Sequence, residues 1–174
     1  LNMKNIINSN LGEFENFIKK DKIKKIFIIG GLKSYVQSGA KKIIEKILKN
    51  KKKEYYFKTS YLPEINELKR IINHIDRFNP DLILAIGGGS VIDYAKIANS
   101  LILSGNIQKE IIDSNYKLKK NCRNLVAIPT TAGSGAEVTS TAVIYVNKIK
   151  YSIEGSNIKP KYYFLIPSLL KNLK

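Results

Sequence analysis

Short apolar runs of strand length alternate with amphipathic stretches of helical period along this chain, and that order constrains the fold more than any other feature. Residues 24–29 form a compact apolar run ending at Gly30-Gly31, as a buried strand entering a turn does. Residues 34–49 follow, with Val36, Ala40, Ile43, Ile44 and Ile47 at helical spacing and lysines on the other face. Residues 54–57 read as a second strand. Pro63 opens a further amphipathic helix carrying Ile65, Leu68, Ile71, Ile72, Ile75 and Phe78, and Asn79-Pro80 stops it. A strand over 81–86, a glycine run and a helix over 90–103 continue the alternation. Apolar strands that lack polar alternation, separated by helices, are the pattern of a parallel sheet covered on both faces. The expected class is α/β.

The rest of the chain fits around that frame. Residues 11–20 present a short helical face of Leu11, Phe14, Phe17 and Ile18. Residues 104–124 are a polar connection with a weak helical patch. A strand over 125–128 ends at Pro129, and 139–146 with 150–153, separated by Asn147-Lys148, read as a β-hairpin. Residues 162–166 are a last strand candidate, and 167–174 look like the start of a helix. With 174 residues and neither repeats nor low-complexity linkers, one domain spanning 1–174 is expected.

Composition excludes several function classes. Hydrophobic residues make up 44% and charged residues 25%, so the chain has a core to bury. No apolar run approaches a bilayer span, and the polar N-terminus carries no secretory pattern, so a cytoplasmic protein without a membrane partner is expected. A single cysteine, Cys122, excludes an internal disulfide framework. With His74 as the single histidine, a zinc cage or multi-histidine metal site is not expected in this chain. His74 falls away from the apolar positions of its helix and reads as exposed; Cys122 has no identifiable partner base and reads as an incidental thiol. The formal charge of +16 comes from thirty Lys and Arg against fourteen Asp and Glu. Arginine occurs only at 70, 77 and 123, and the lysines are scattered over every amphipathic segment. Arginine forks interleaved with aromatics are scarce, so no nucleic-acid partner is expected. Such a surface still favours anionic small molecules.

Two loops carry the chemistry. The strand over 81–86 runs straight into Gly87-Gly88-Gly89, and a helix begins at Ser90. Glycines there would let an anion approach the main chain, and the helix N-terminus offers free N–H groups and a positive dipole end to a pyrophosphate. The run matches neither the GxGxxG nor the Walker motif. A tight turn, with Ser90 and Asp93 as a capping box, is the plainer alternative. The second loop, Pro129-Thr-Thr-Ala-Gly-Ser-Gly-Ala-Glu137, also follows a strand, and Thr130, Thr131 and Ser134 supply hydroxyls for a phosphate or ribose. A polar turn would explain these residues as well. Parallel sheets bind ligands beyond the carboxyl ends of their strands, so both loops would face one crevice.

Together, Gly-Gly-Gly-Ser-x-x-Asp-x-x-Lys over 87–96 and Pro-Thr-Thr-Ala-Gly-Ser-Gly-Ala-Glu over 129–137 resemble the iron-containing (group III) alcohol dehydrogenase family. Ser38-Gly39-Ala40, Phe78-Asn79-Pro80-Asp81, Ala142-Val-Ile-Tyr and Lys150-Tyr-Ser-Ile are most similar to phosphonoacetaldehyde reductases in that family. The resemblance implies a Rossmann-like, dehydroquinate-synthase-like nucleotide-binding domain and NAD(P) as cofactor. By matching position, Gly87, Gly88, Gly89 and Ser90 would contact the pyrophosphate, and Thr130, Thr131 and Ser134 would line the phosphate and nicotinamide-ribose side. Lys150 would reach the ribose, and Asp93 would take a structural or cofactor-side role.

The chain also departs from the family pattern. Gly30-Gly31-Leu32-Lys33-Ser34 lacks the carboxylate that often binds the adenosine ribose, which implies tolerance of a 2′-phosphate. Ala136 stands where the family usually has Ser. The family's helical domain, whose Asp-x-x-x-His segment and later histidines hold iron or another divalent metal, has no counterpart, so no metal ligand is assigned here and the chain alone is expected to be inactive. The implied function is the cofactor-binding half of an NAD(P)-dependent dehydrogenase acting on a small aldehyde or alcohol, an anionic one being favoured by the basic surface, in a homodimer. A non-catalytic nucleotide-binding module and a polyol or glycerol-phosphate dehydrogenase are the competing readings.

Overall fold

The structure is a computed structural model and describes residues 7–8, 11–20 and 22–170. The apolar runs form its central strands: β2 (Lys25–Gly31), β4 (Leu82–Gly87) and β5 (Asn124–Pro129), with β3 (Lys52–Lys58) beside β2. Two short strands, β8 (Tyr162–Phe164) and β1 (Ile7–Asn8), complete one sheet in the order β1-β8-β5-β4-β2-β3. Every pairing in it is parallel.

The strands are buried on both faces, which is why their sequences do not alternate with polar residues. Phe27, Ile29, Ile83, Ala85, Leu125 and Ala127 point to one layer, which holds α4 (Ile65–Phe78) and α5 (Gly89–Ser100). Ile26, Ile28, Leu84, Ile86, Val126 and Ile128 point to the other, which holds α1 (Leu11–Ile18), α2 (Leu32–Gln37) and α3 (Ala40–Ile47). At the amino ends of the strands, Asp81 accepts the N–H groups of Lys24 and Lys25 at 2.9 and 2.8 Å, tying the starts of β2 and β4 together. Helices α6 (Ile107–Ile112) and α7 (Pro167–Leu170) are short.

A separate antiparallel hairpin, β6 (Thr141–Val146) and β7 (Ile149–Glu154), packs on the α4–α5 layer. Its two-residue turn, Asn147-Lys148, has φ of 51° and 66°, the left-handed pair that a type I′ turn requires. Tyr145 donates its N–H to the carbonyl of Pro63 at 2.7 Å and fastens the hairpin to the start of α4.

Two elements differ from the sequence expectation. The helix over 34–49 is split into α2 and α3, because Gly39 takes φ 82° and breaks the rod at Ser38-Gly39. Strand β1 was not foreseen; two residues carry no readable period.

Chain connections leave β2 and β4 in opposite directions. From β2 the chain crosses to β3 at one edge, whereas from β4 it continues to β5 and β8 on the other side. A crevice opens at such a switch point, beyond the carboxyl ends of the strands. Gly87–Gly89 and Thr130–Ser134 follow the carboxyl ends of the neighbouring strands β4 and β5, on that side of the sheet.

Candidate cofactor site

The two loops touch. A Cβ added to Gly88 would lie 2.9 Å from Thr131 Oγ1, and one added to Gly89 would lie 3.0 Å from Ser134 Cβ. At Gly87 it would meet Val91 Cγ2 at 2.6 Å. None of the three has a positive φ; Gly88 sits at φ −79° and ψ −174° as the N-cap of α5. Their glycine identity therefore serves close approach, of Val91 in the first turn of α5 and of the second loop against it. Thr130 donates its N–H to Gly87 O at 3.0 Å and adds a main-chain bond between the loops. Thr130 is 1% exposed, and its hydroxyl is buried with no hydrogen-bond partner in the protein. A buried hydroxyl without a partner is rare in a folded chain. At the end of a strand, next to a helix N-terminus, it suits a phosphate or ribose oxygen. The residues present fit a dinucleotide.

No side chain caps α5, so the Ser90–Asp93 capping box offered as the plainer alternative does not form. The reason lies in the hairpin. Asp93 is turned toward β6 and accepts the N–H of Val143, with Lys96 and Lys150 near it. Burial pushes its carboxyl up to about 6, against the pull of that N–H and the two ammonium groups. Lys150 is exposed on β7, opposite Tyr145. Ser134 is exposed and Thr131 half-buried.

Lys96 is fully buried. Its ammonium donates to the Ala136 carbonyl at 2.9 Å, to Thr139 Oγ1 at 2.9 Å and to the Thr141 carbonyl. Burial lowers it to about 8, while Asp93 and Glu137 pull it upward. The sequence motif included Lys96, but its partners lie some forty residues on and become visible only when the chain has folded.

A second feature that the sequence did not disclose is Glu67 of α4, 1% exposed. It accepts the N–H groups of Thr59 at 2.6 Å and Ser60 at 3.0 Å, the Thr59 hydroxyl at 2.9 Å and the Tyr94 hydroxyl at 2.9 Å. Burial alone would raise its carboxyl, but these donors outweigh it and hold it at about 2. Glu67 thereby shapes the turn after β3. That turn borders an open cleft of about 460 Å³ lined by Gly31, Lys33, Ser34, Lys58 and Tyr61 among others, with no carboxylate in its lining.

His74 and Cys122 lie apart from the crevice. His74 is half-buried rather than exposed: it packs edge-on against Tyr56, and its Nδ1 is 3.3 Å from Glu54 Oε1. Cys122 precedes β5, at the opposite end of that strand, and burial raises its thiol. Among the described residues no group of three or more His, Cys, Asp or Glu could hold a metal ion. These residues do not fit an iron centre.

Comparison with known proteins gives the chain its relatives. It is 32% identical over 117 residues to an alcohol dehydrogenase of Thermococcus barophilus, a match covering 64% of this chain and 31% of that protein. It is 33% identical over 107 residues to a phosphonoacetaldehyde reductase of Streptomyces viridochromogenes, covering 53% and 26%. Among solved structures, the NADH-dependent butanol dehydrogenase A of Thermotoga maritima superposes with a TM-score of 0.85 at 21% identity, over 100% of this chain and 45% of that one. The sulfoacetaldehyde reductase of Bifidobacterium kashiwanohense in complex with NAD+ gives 0.80 at 23% identity, over 94% and 44%. The chain thus spans 26–31% of these curated relatives and less than half of the solved chains, and the structural likeness establishes a shared fold. The sequence model of the iron-containing alcohol dehydrogenases matches residues 5–167. Since that match takes in both glycine loops, the hairpin and every described strand of the sheet, the chain belongs to the iron-containing alcohol dehydrogenase family.

Proposed function

We propose that this chain is the dinucleotide-binding part of an NAD(P)-dependent alcohol dehydrogenase or aldehyde reductase. The observation that carries the reading is the buried, unpartnered Thr130 hydroxyl, set where the two glycine loops meet at the switch point of the sheet. In this reading the pyrophosphate lies over the first turn of α5, against the backbone of Gly87, Gly88, Gly89 and Ser90. Thr130, Thr131 and Ser134 give hydroxyls to the phosphates and the nicotinamide ribose. Lys150 reaches the ribose from β7, with Asp93 behind it. The bound nicotinamide supplies the hydride. The chain's own residues bind the dinucleotide, orient it and shield one side of it from water.

The cleft beyond β2 and β3 takes the adenosine end. Lys33, Ser34 and Lys58 line it without a carboxylate, which supports binding of NADP(H) as readily as NAD(H). The substrate is a small aldehyde or alcohol, and the +16 charge favours one bearing a phosphonate or sulfonate. Fluorescence titration of the 174-residue chain with NADH and NADPH tests the reading. Saturable binding of both is expected; no binding of either at millimolar concentration overturns it.

A further inference from the structure

Lys96 is the most enclosed charged side chain among the described residues, and cofactor contact gives it no role. All three of its acceptors belong to one segment: Ala136 O, Thr139 Oγ1 and Thr141 O. That segment continues the loop whose Thr131 and Ser134 rest on Gly88 and Gly89. Helix α5 is a rigid rod with the glycine N-cap at one end and Lys96 two turns along it. The second loop is therefore pressed to the helix at two points: by steric contact at the glycines and by the ammonium farther down.

We propose that Lys96 is a positioning residue, whose ammonium clamps residues 136–141 to α5 and so sets the spacing between the glycine cradle and the hydroxyls of the second loop on which dinucleotide affinity depends. The proposal rests on the dinucleotide reading above. An ammonium can serve three acceptors at once; a neutral amine has two N–H groups and must release one. The charged groups facing Lys96 are Asp93 on its own helix and Glu137 on the clamped segment, and Lys150 of β7 faces Asp93 in turn.

The clamp loosens as Lys96 loses its proton near pH 8. The folded value lies below the ordinary 10.5, so burial of the charged form costs stability at neutral pH, and that cost is relieved as pH rises from about 8 toward 10.5. A lysine serving only to hold the fold would thus show no loss of stability in this window. A lysine that positions the loop shows a loss of affinity there.

The experiment measures the NADH dissociation constant between pH 7 and 9.5 by fluorescence, with thermal melts at each pH. For the wild-type chain affinity should fall about tenfold across this range, the scale of one charge-assisted hydrogen bond, without a matching fall in melting temperature. Lys96→Met should bind about tenfold more weakly at pH 7 and show a flat profile. Lys19→Met, which removes an exposed ammonium paired with Glu15 beyond the end of α1, should keep the pH-dependent fall. A flat wild-type profile, or a folded Lys96→Met that binds NADH as tightly as wild type, overturns the clamp. If Lys96→Met does not fold, the wild-type profile decides alone. Wild type that binds no NADH at any pH refutes the dinucleotide reading and the clamp with it; pH-independent binding refutes the clamp only.

Discussion

At the scale of single residues, the triple glycine gains a cause that lies inside the protein. Any side chain at Gly87 would strike Val91, and one at Gly88 or Gly89 would push away Thr131 or Ser134. The glycines bring two loops of the chain together at the start of α5. Asp93 shows how an anion is kept in that helix at a cost. Its folded value near 6 stands above the ordinary 3.8, so the stability linked to its proton is present below about pH 4 and lost as pH rises through 6. Two pH units correspond to roughly 3 kcal/mol, an upper figure for a group that is not fully enclosed. Asp93→Asn keeps an oxygen for the Val143 N–H and sheds the charge. We expect it to stabilise the chain by about 1–3 kcal/mol at pH 7 and by nearly nothing at pH 4. Chemical denaturation at both values checks this; a variant weaker than wild type at pH 7 refutes it.

At the scale of elements, the hairpin is the piece that brings the site together, because it gives α5 partners for both Asp93 and Lys96. Its turn places Lys148 at φ 66°, a conformation that costs a side-chain-bearing residue about 1–2 kcal/mol. Lys148→Gly produces the Asn-Gly pair that such turns prefer, and we expect a gain of about 1 kcal/mol in urea unfolding, with a loss arguing against the left-handed turn. The long elements were legible in the sequence because β2, β4 and α4 each carry enough residues to show a period. The division of α2 from α3 was not, since Val36, Ala40, Ile44 and Ile47 keep helical spacing across the break at Gly39. In the candidate site, the nearness of Thr130, Thr131 and Ser134 to the glycines could be anticipated because loops after neighbouring strands of a parallel sheet share one end of it. The partners of Lys96 and Glu67 could not: their contacts join segments that approach only after the helices have packed on the sheet.

At the scale of the whole molecule, the two loops of the proposed site follow neighbouring strands of one parallel sheet. The described residues include no group of three or more His, Cys, Asp or Glu that could hold a metal ion. We therefore expect the 174-residue chain, loaded with Fe2+ or Zn2+, to oxidise no NADPH above a protein-free control with a panel of small aldehydes that includes phosphonoacetaldehyde. Turnover that disappears in Gly88→Val would show that carboxylates near the cradle suffice. The sheet that carries the cradle also sets a timetable for its making. Its outer seam joins Ile7 to Tyr163 and Asn8 to Phe164, and Phe14 and Phe17 of α1 pack on Phe164. In a nascent chain leaving the ribosome amino end first, β2, β3 and β4 can pair soon after they emerge. The first strand and first helix must wait for β8, and until then the open edge of β5 has no neighbour. Among the described elements, β1 and α1 precede β2–β5 in the chain yet are among the last to find their places, and mispairing is most open shortly before β8 appears.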